Sequence, residues 1–454
     1  MVAHRTSPTN IGLGMAVGAG RARLRLRGHR GAWSLACRAR STPWRRWSAS
    51  RGHLLNWYDT QTLEPLHPGT CSTVDSGNLA ASLVCLAQGL RQLAIPPGAE
   101  QAPALHGLAQ RADALLEAMD FRFLYDTQRK LFAIGYRLAD ADGPARLDPS
   151  FYDLLASEAR LASFIAIAKG DVPSSHWFAL GRPVTSVDGV PTLLSWSATA
   201  FEYLMPLLFM KRYPETLLDR TCVMAVRRMR RYGEPLHVPW GISESAYAVT
   251  DRAGNYQYKA FGVPGLGLKR GLADDLVVAP YATALAALVD PEAAVANLRR
   301  LQAEGLHGRY GFFESIDYTP AGPAESEPDE PRAADAGRGQ IVKAYLAHHQ
   351  GMTLVALADR AARRRHGAVA STRPARAGHR AAAAGARAAR RAGHRAAARR
   401  GHARAGRASR RSRRAASARP TSQFPHAHFL SNGAYTVDGH QRGRRRQHSA
   451  AGAW

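Results

Sequence analysis

All but one of the acidic residues in this 454-residue chain lie between Asp59 and Asp359, so only the middle of the chain has the mixed-sign surface of a folded body. Residues 51–360 carry 29 Lys and Arg against 34 Asp and Glu, a net charge of −5. The formal +27 of the whole chain therefore arises elsewhere. Residues 14–50, 361–420 and 438–454 hold 9, 19 and 4 arginines, no lysine, and a single acid, Asp438. A body of about 310 residues is long enough for one large core, and no Pro/Ser-rich linker divides it.

The Arg/Ala-rich stretch 361–420 has the charge of a nucleic-acid tail but not its other features. It contains no lysine and no aromatic residue to stack on bases. Ala, Arg, Gly and Pro are what GC-rich coding DNA yields in a shifted reading frame, and 14–50 and 438–454 share that composition. These flanks are expected to be disordered or frameshifted, and no nucleic-acid partner is expected. The run Ile11–Gly20 is short, Gly-rich and followed by arginines, unlike a targeting signal. The longest apolar run, Leu161–Ala168, has core-helix rather than membrane length. Cys37, Cys71, Cys85 and Cys222 follow neither a metal nor a disulfide spacing, which fits a cytoplasmic location.

Within the body, helical punctuation recurs. Asp75 or Ser76 can cap a helix carrying Leu79, Leu83, Leu86, Leu90 and Leu93 at 3–4 spacing. Ser150 and Asp153 read as a capping box opening a helix over Phe151–Lys169, closed by Gly170. Further helices are predicted at 106–119, 196–211, 214–231, 279–289, 291–304 and 340–360. Strand alternation is nearly absent. The fold class expected is all-α, a helical toroid, with 321–338 as an exposed loop.

The loops between these helices are rich in aromatic and acidic residues. Glu158 falls on the apolar stripe of the predicted 151–169 helix, where desolvation would raise its pKa toward general-acid range. Glu202 sits similarly beside Phe201, Leu204 and Met205. Glu244 lies in a loop between Trp240 and Tyr247, with Tyr256 and Tyr258 following. Aromatic faces pack on the C–H faces of sugars and carboxylates accept their hydroxyl protons, so this loop suits a carbohydrate subsite. Phe313-Glu314 has the same character, and His348, His349 and Gln350 can reach a pocket rim. Adjacent histidines point to different faces, so no metal is expected, and no cofactor.

Several stretches resemble the central glycoamylase-like region of bacterial cyclic β-1,2-glucan synthases. They are NWYDT, STVDSGNLA, FLYDTQRKLFAIGY, YDLLASEARLASFIAIAKGD, LLSWSATAFEYLMP, VPWGISESAY, YQYKAFGVPGLGLKRG and AYLAHHQGMTLVAL, spread over 51–360. RTSPTNIGL (5–13) resembles the start of the same domain, and PHAHFLSNGAYTV (425–437) the start of a phosphorylase-like region. The resemblance implies an (α/α)6 barrel, here incomplete at its N-terminal helices because a Gly/Arg-rich stretch occupies 14–50. It implies β-1,2-glucan as partner and the transglycosylation that closes the glucan ring. Glu158 and Glu244 would be the catalytic pair, with Asp153, Glu202, Trp240, Tyr247, Tyr256, Tyr258, Phe313, Glu314, His348, His349 and Gln350 holding sugar. Full-length members of the family are anchored in the inner membrane by parts with no counterpart in this chain. The competing readings are an endo-β-1,2-glucanase and an inactive, glucan-binding fragment.

Overall fold

The structure, a computed structural model, describes residues 4–23, 49–95, 102–141, 143–252, 254–320, 339–361, 427–431, 435–440 and 445–449. Residues 24–48, 321–338 and 362–426, where most of the flank expectations fall, lie outside the described residues. Ten helices organise the body. They are α1 (Pro8–Arg23), α2 (Thr73–Leu93), α3 (Ala102–Ala118), α4 (Arg160–Lys169), α5 (Ser175–Ala179), α6 (Ala200–Leu204), α7 (Leu217–Gly233), α8 (Pro280–Ala286), α9 (Pro291–Ala303) and α10 (Ala347–Ala361).

Their packing partners close a circuit. Helix α1 lies between α2 and α10; α10 packs on α8, α8 on α6, and α2 on α4. The circuit closes between α4 and α6 through Arg160, whose guanidinium donates to the carbonyls of Glu202 and Tyr203 at 2.6 Å each. Helices α3, α7 and α9 lie against α2, α6 and α8. Six helices thus form a ring, and three lie against it. One continuous cluster of buried apolar residues runs through all of them, from Leu13 to Ala356.

Helix α1 corrects the expectation for 14–50. Although the composition changes at Gly14, the helix runs on to Arg23, and Met15 and Ala16 are buried in the core with Leu13. Its amphipathy is weak because small residues dominate it, so packing rather than pattern holds it. A Cβ at Gly12 would come 2.8 Å from Ser82 Oγ on α2. The α2–α4 crossing is tighter: a Cβ at Gly77 would lie 2.5 Å from the Ala162 Cβ and 2.7 Å from its Cα.

The all-α expectation is also corrected. Short antiparallel sheets of two or three strands join the helices, including a hairpin of Ser245–Thr250 with Tyr256–Lys259 and a sheet of Val277–Val278, Ser315–Asp317 and Gln340–Val342. Among the described residues no central parallel sheet occurs. Phe151–Tyr152 is a strand paired with Phe132–Ala133, so the helix predicted from Phe151 begins only at Arg160. Its Gly170 stop is as expected, in the left-handed conformation at φ 83°. The cap of α2 is Ser72, whose side chain accepts from the Asp75 N–H; neither Asp75 nor Ser76 caps it. Residues 427–431, 435–440 and 445–449 form an antiparallel three-strand meander.

The α2–α4 contact predicts a substitution effect. Gly77→Ala should lower stability by about 1–3 kcal/mol, because the Ala162 backbone cannot yield as a flexible side chain would. Thermal unfolding of the two forms checks this.

Candidate active site

Each helix of the ring brings a polar group to its N-terminal end. Asn10 and Asp75 are in the first turns of α1 and α2, Glu158 stands two residues before α4, and Glu202 is third in α6. Tyr281 is second in α8, and His348 and His349 are second and third in α10. The loops before α8 and α10 supply Glu244 and Glu314. Hydrogen bonds tie these ends together: Asp75 accepts from Thr9 Oγ1 at 2.6 Å, and His348 Nδ1 lies 3.2 Å from Asn10 Oδ1. Tyr281 donates to the Glu244 carbonyl at 2.8 Å.

Three carboxyls here are pushed far from their ordinary range. Burial, with the charges of Glu202 and Glu244, raises Glu158 to about 8. Burial raises Glu244 to about 7, against the Tyr258 hydroxyl that donates to its Oε1 at 2.8 Å. Burial likewise raises Glu314 to about 7. Glu158 and Glu244 are nonetheless only half-buried, so solvent reaches them, whereas Glu314 is 2% exposed. Groups surrounded by protein yet open on one side are what a cleft wall provides. At neutral pH such carboxyls can give or take a proton at little cost.

Glu202 is built differently. Burial pushes its carboxyl up, but both oxygens are already used. Oε1 accepts from the N–H groups of Trp196 and Ser197, and Oε2 from Ser195 Oγ and the N–H groups of Ser197 and Thr199. Only an ionised carboxylate can serve so many donors. Thr199 and Glu202 form a capping box, and Glu202 fixes loop 195–199.

That loop presents Trp196, which is 47% exposed and donates from Nε1 to Asp153 Oδ1 at 2.7 Å. Asp153 thus orients an indole and does not cap a helix. Trp240 is buried in the core, which leaves its ring little face for a ligand, and its backbone N–H and carbonyl are held by Asn297 Oδ1 and Nδ2. Tyr247 is half-buried, edge-on to Phe261 with centroids 5.4 Å apart. Tyr256 and Tyr258 share one strand of the hairpin, Tyr258 being 45% exposed. Phe313 leans on Tyr345 at 5.3 Å, and Gln350 donates to the Phe312 carbonyl, steadying the loop that carries Glu314. His349 is buried, stacked on Tyr281 at 3.7 Å and 2.7 Å from Glu314 Oε1. Among the described residues no cluster of three or more His, Cys, Asp or Glu could hold a metal ion, and no helix is long and apolar enough to cross a membrane.

Residues 150–361 match the glycoamylase family model, described as "Putative glucoamylase". The resemblance read from the sequence is borne out as well. The chain is 44% identical over 252 residues to cyclic beta-(1,2)-glucan synthase NdvB of Rhizobium meliloti (strain 1021). That match covers 56% of this chain and 8% of the relative, so the chain spans a small part of that protein. The fold is shared with solved β-1,2-glucanases. Endo-beta-1,2-glucanase from Talaromyces funiculosus, solved with sophorose, superposes with a TM-score of 0.60 at 14% identity, covering 81% of both chains. The endo-beta-1,2-glucanase from Chitinophaga pinensis, solved with sophorotriose and glucose, gives 0.60 at 16% identity, covering 82% of this chain and 85% of that one.

Several residues at the candidate site carry no motif in the sequence. Tyr281 lies in the apolar run PYATALA, and Asp75 reads as a helix cap. Trp196 could have been found, since an aromatic beside Ser-rich loop residues just before a capping box has no apolar neighbours to cover it.

The raised carboxyls set a pH dependence. Each folded-state pKa lies above the ordinary 4.5, so protonation stabilises the fold. That contribution is full below about 4.5 and is lost as pH rises through about 7 for Glu244 and Glu314 and about 8 for Glu158. Glu158→Gln should therefore gain on the parent as pH rises, melting roughly 2–4 °C higher at pH 9 and nearly alike at low pH. Melting curves from acid to alkaline pH check the sign.

Proposed function

We propose that this domain acts on β-1,2-glucan, breaking a glycosidic bond and passing the released glycosyl end to another sugar hydroxyl, as in closing a glucan ring. Glu158 and Glu244 divide the acid and base work, and the helices close as an (α/α)6 toroid with its N-terminal helix ends around the cleft. Departure of a glycosidic oxygen needs a proton, and attack by a hydroxyl releases one. The observation that carries the reading is the pair of half-buried carboxyls, at about 8 and about 7, with Glu158 in the field of Glu244. The 44% identity to a cyclic glucan synthase supports the substrate class and the ring-closing outcome. Tyr258 and the exposed face of Trp196 supply aromatic surface for sugar rings.

The second reading, hydrolysis to linear fragments, is favoured by the likeness to endo-β-1,2-glucanases. Incubating the chain with linear β-1,2-glucan and separating products by mass decides between them. A ring is lighter than its linear counterpart by one water, so ring masses support transfer to the chain's own end, and linear fragments support hydrolysis. Glu158→Gln and Glu244→Gln should each lower turnover by about 10²–10⁴-fold. Trp196→Ala should raise KM about tenfold with kcat little changed, because it removes a sugar platform and no proton carrier. Steady-state kinetics on linear β-1,2-glucan measure all three.

A further inference from the structure

Behind Glu244 a line of polar groups leads away from the cleft into the core. Tyr258 Oη lies 2.8 Å from Glu244 Oε1 and 3.4 Å from His349 Nε2. His349 Nδ1 lies 2.7 Å from Glu314 Oε1. The line descends from a tyrosine that is 45% exposed to a histidine and a glutamate that are 1% and 2% exposed. The imidazole is held in line, because Tyr281 stacks on it at 3.7 Å with planes 9° apart and both of its nitrogens face a partner. Glu314 Oε1 also accepts from the Ala246 N–H at 3.3 Å. Its Oε2 closes no hydrogen bond to a described residue, although the Leu346 N–H approaches the carboxyl. A buried carboxylate so sparsely supplied with donors is costly, and the neutral acid is the better occupant.

We propose that Glu314, His349 and Tyr258 form a proton relay that exchanges a proton between the buried Glu314 and Glu244. This rests on the assignment of Glu244 to the reaction made above. In one state Glu314 is the acid and donates to His349 Nδ1, His349 Nε2–H donates to Tyr258 Oη, and Tyr258 donates to the ionised Glu244. Three protons then each shift along one hydrogen bond. The Glu314 proton passes to Nδ1, the Nε2 proton to the tyrosine oxygen, and the tyrosine proton to Glu244. In the second state Glu314 is ionised, Glu244 is the acid, and His349 and Tyr258 are neutral as before, the imidazole having changed tautomer. No charged imidazole or phenolate is formed, which suits a histidine whose burial lowers its pKa to about 3 and a tyrosine whose burial raises its own. The two ends are matched, both carboxyls sitting at about 7, so neither traps the proton. Run in one direction the relay charges Glu244, and in the other it discharges it, so Glu244 can recover its starting state while sugar still fills the cleft. Asp75 and Glu202 act on Glu244 through their charge, and His348 on Glu314, biasing the equilibrium without joining the line.

The test uses the full chain and two conservative variants, Glu314→Gln and Tyr258→Phe, with Glu244→Gln alone and added to Tyr258→Phe as a probe of coupling, read by infrared difference spectra of the carboxylic-acid carbonyl from pH 5 to 9 and, for the first two, by turnover in H2O–D2O mixtures. The parent should show a protonated carboxyl near neutral pH that disappears in Glu314→Gln. Its titration should move when Glu244 is changed to Gln, and in Tyr258→Phe that response should shrink to what the direct charge of Glu244 alone exerts. Turnover of linear β-1,2-glucan should fall about tenfold in each variant, and the curved dependence on deuterium fraction, the mark of several protons in flight, should become linear. The relay is overturned if no protonated Glu314 is seen, if Tyr258→Phe leaves the coupling of the two carboxyls undiminished, or if both variants keep the parent's rate and curvature. Absence of any parental turnover would sink the proposed function, while the infrared spectra would still decide the relay.

Discussion

A guanidinium whose hydrogen bonds go to backbone carbonyls joins the two halves of the ring. Arg160 is 1% exposed, and its donors go to backbone carbonyls: Ser157 at 2.8 Å on its own side, Glu202 and Tyr203 across the gap. Burial works against its charge, lowering its pKa. Carbonyl partners leave it positive where a carboxylate would have cancelled it. That positive charge is felt by Glu158, two residues away, and restrains an otherwise larger upward shift. One side chain therefore both joins α4 to α6 and helps set the protonation of the cleft.

At the N-terminal ends of the ring helices, first-turn N–H groups and positive dipole ends favour negative charge nearby. This is how the fold tolerates Asp75, Glu158, Glu202, Glu244 and Glu314 so close together. The tolerance is uneven. Glu202, at the third position of α6 and bound by its loop, is held as a carboxylate; Glu158 and Glu244, without such a set of donors, remain free to exchange protons. The same carboxyls reduce stability as they ionise, so the site is held against a cost that grows with pH.

Where structure is set by neighbours in sequence, it was legible. Proline at the first turn and a cap before it place α9 at Pro291–Ala303 against an expected 291–304, and α8 and α7 fall close to their expected spans. Where distant partners decide, the reading failed. Phe151 and Tyr152 have helical spacing with Leu154 and Leu155, yet they pair with Phe132 and Ala133 as a strand. Helix α1 has little amphipathy and exists because α2 and α10 enclose it. The acids and aromatics on which the proposed function rests were visible in the sequence, but composition cannot say which way a ring points. Trp240 turned inward, and Trp196, held by Asp153, turned out. His349 gave no sign that it would line up between a tyrosine and a glutamate, because that alignment needs three separate segments.

The seam between α1 and α10 has a consequence for how the molecule comes into being. The hydrogen bond from His348 to Asn10 spans 338 positions, so the ring is closed by its first helix meeting its last. Until residues near 361 leave the ribosome, α1 has only α2 to lie on and the apolar surface that α10 covers stays wet. Closing so long a loop is slow, and the intermediate that waits for it is an open crescent with sticky ends. The cleft is thus the last part of the protein to exist, and a nascent chain halted anywhere before α10 would carry most of the site's residues with no site.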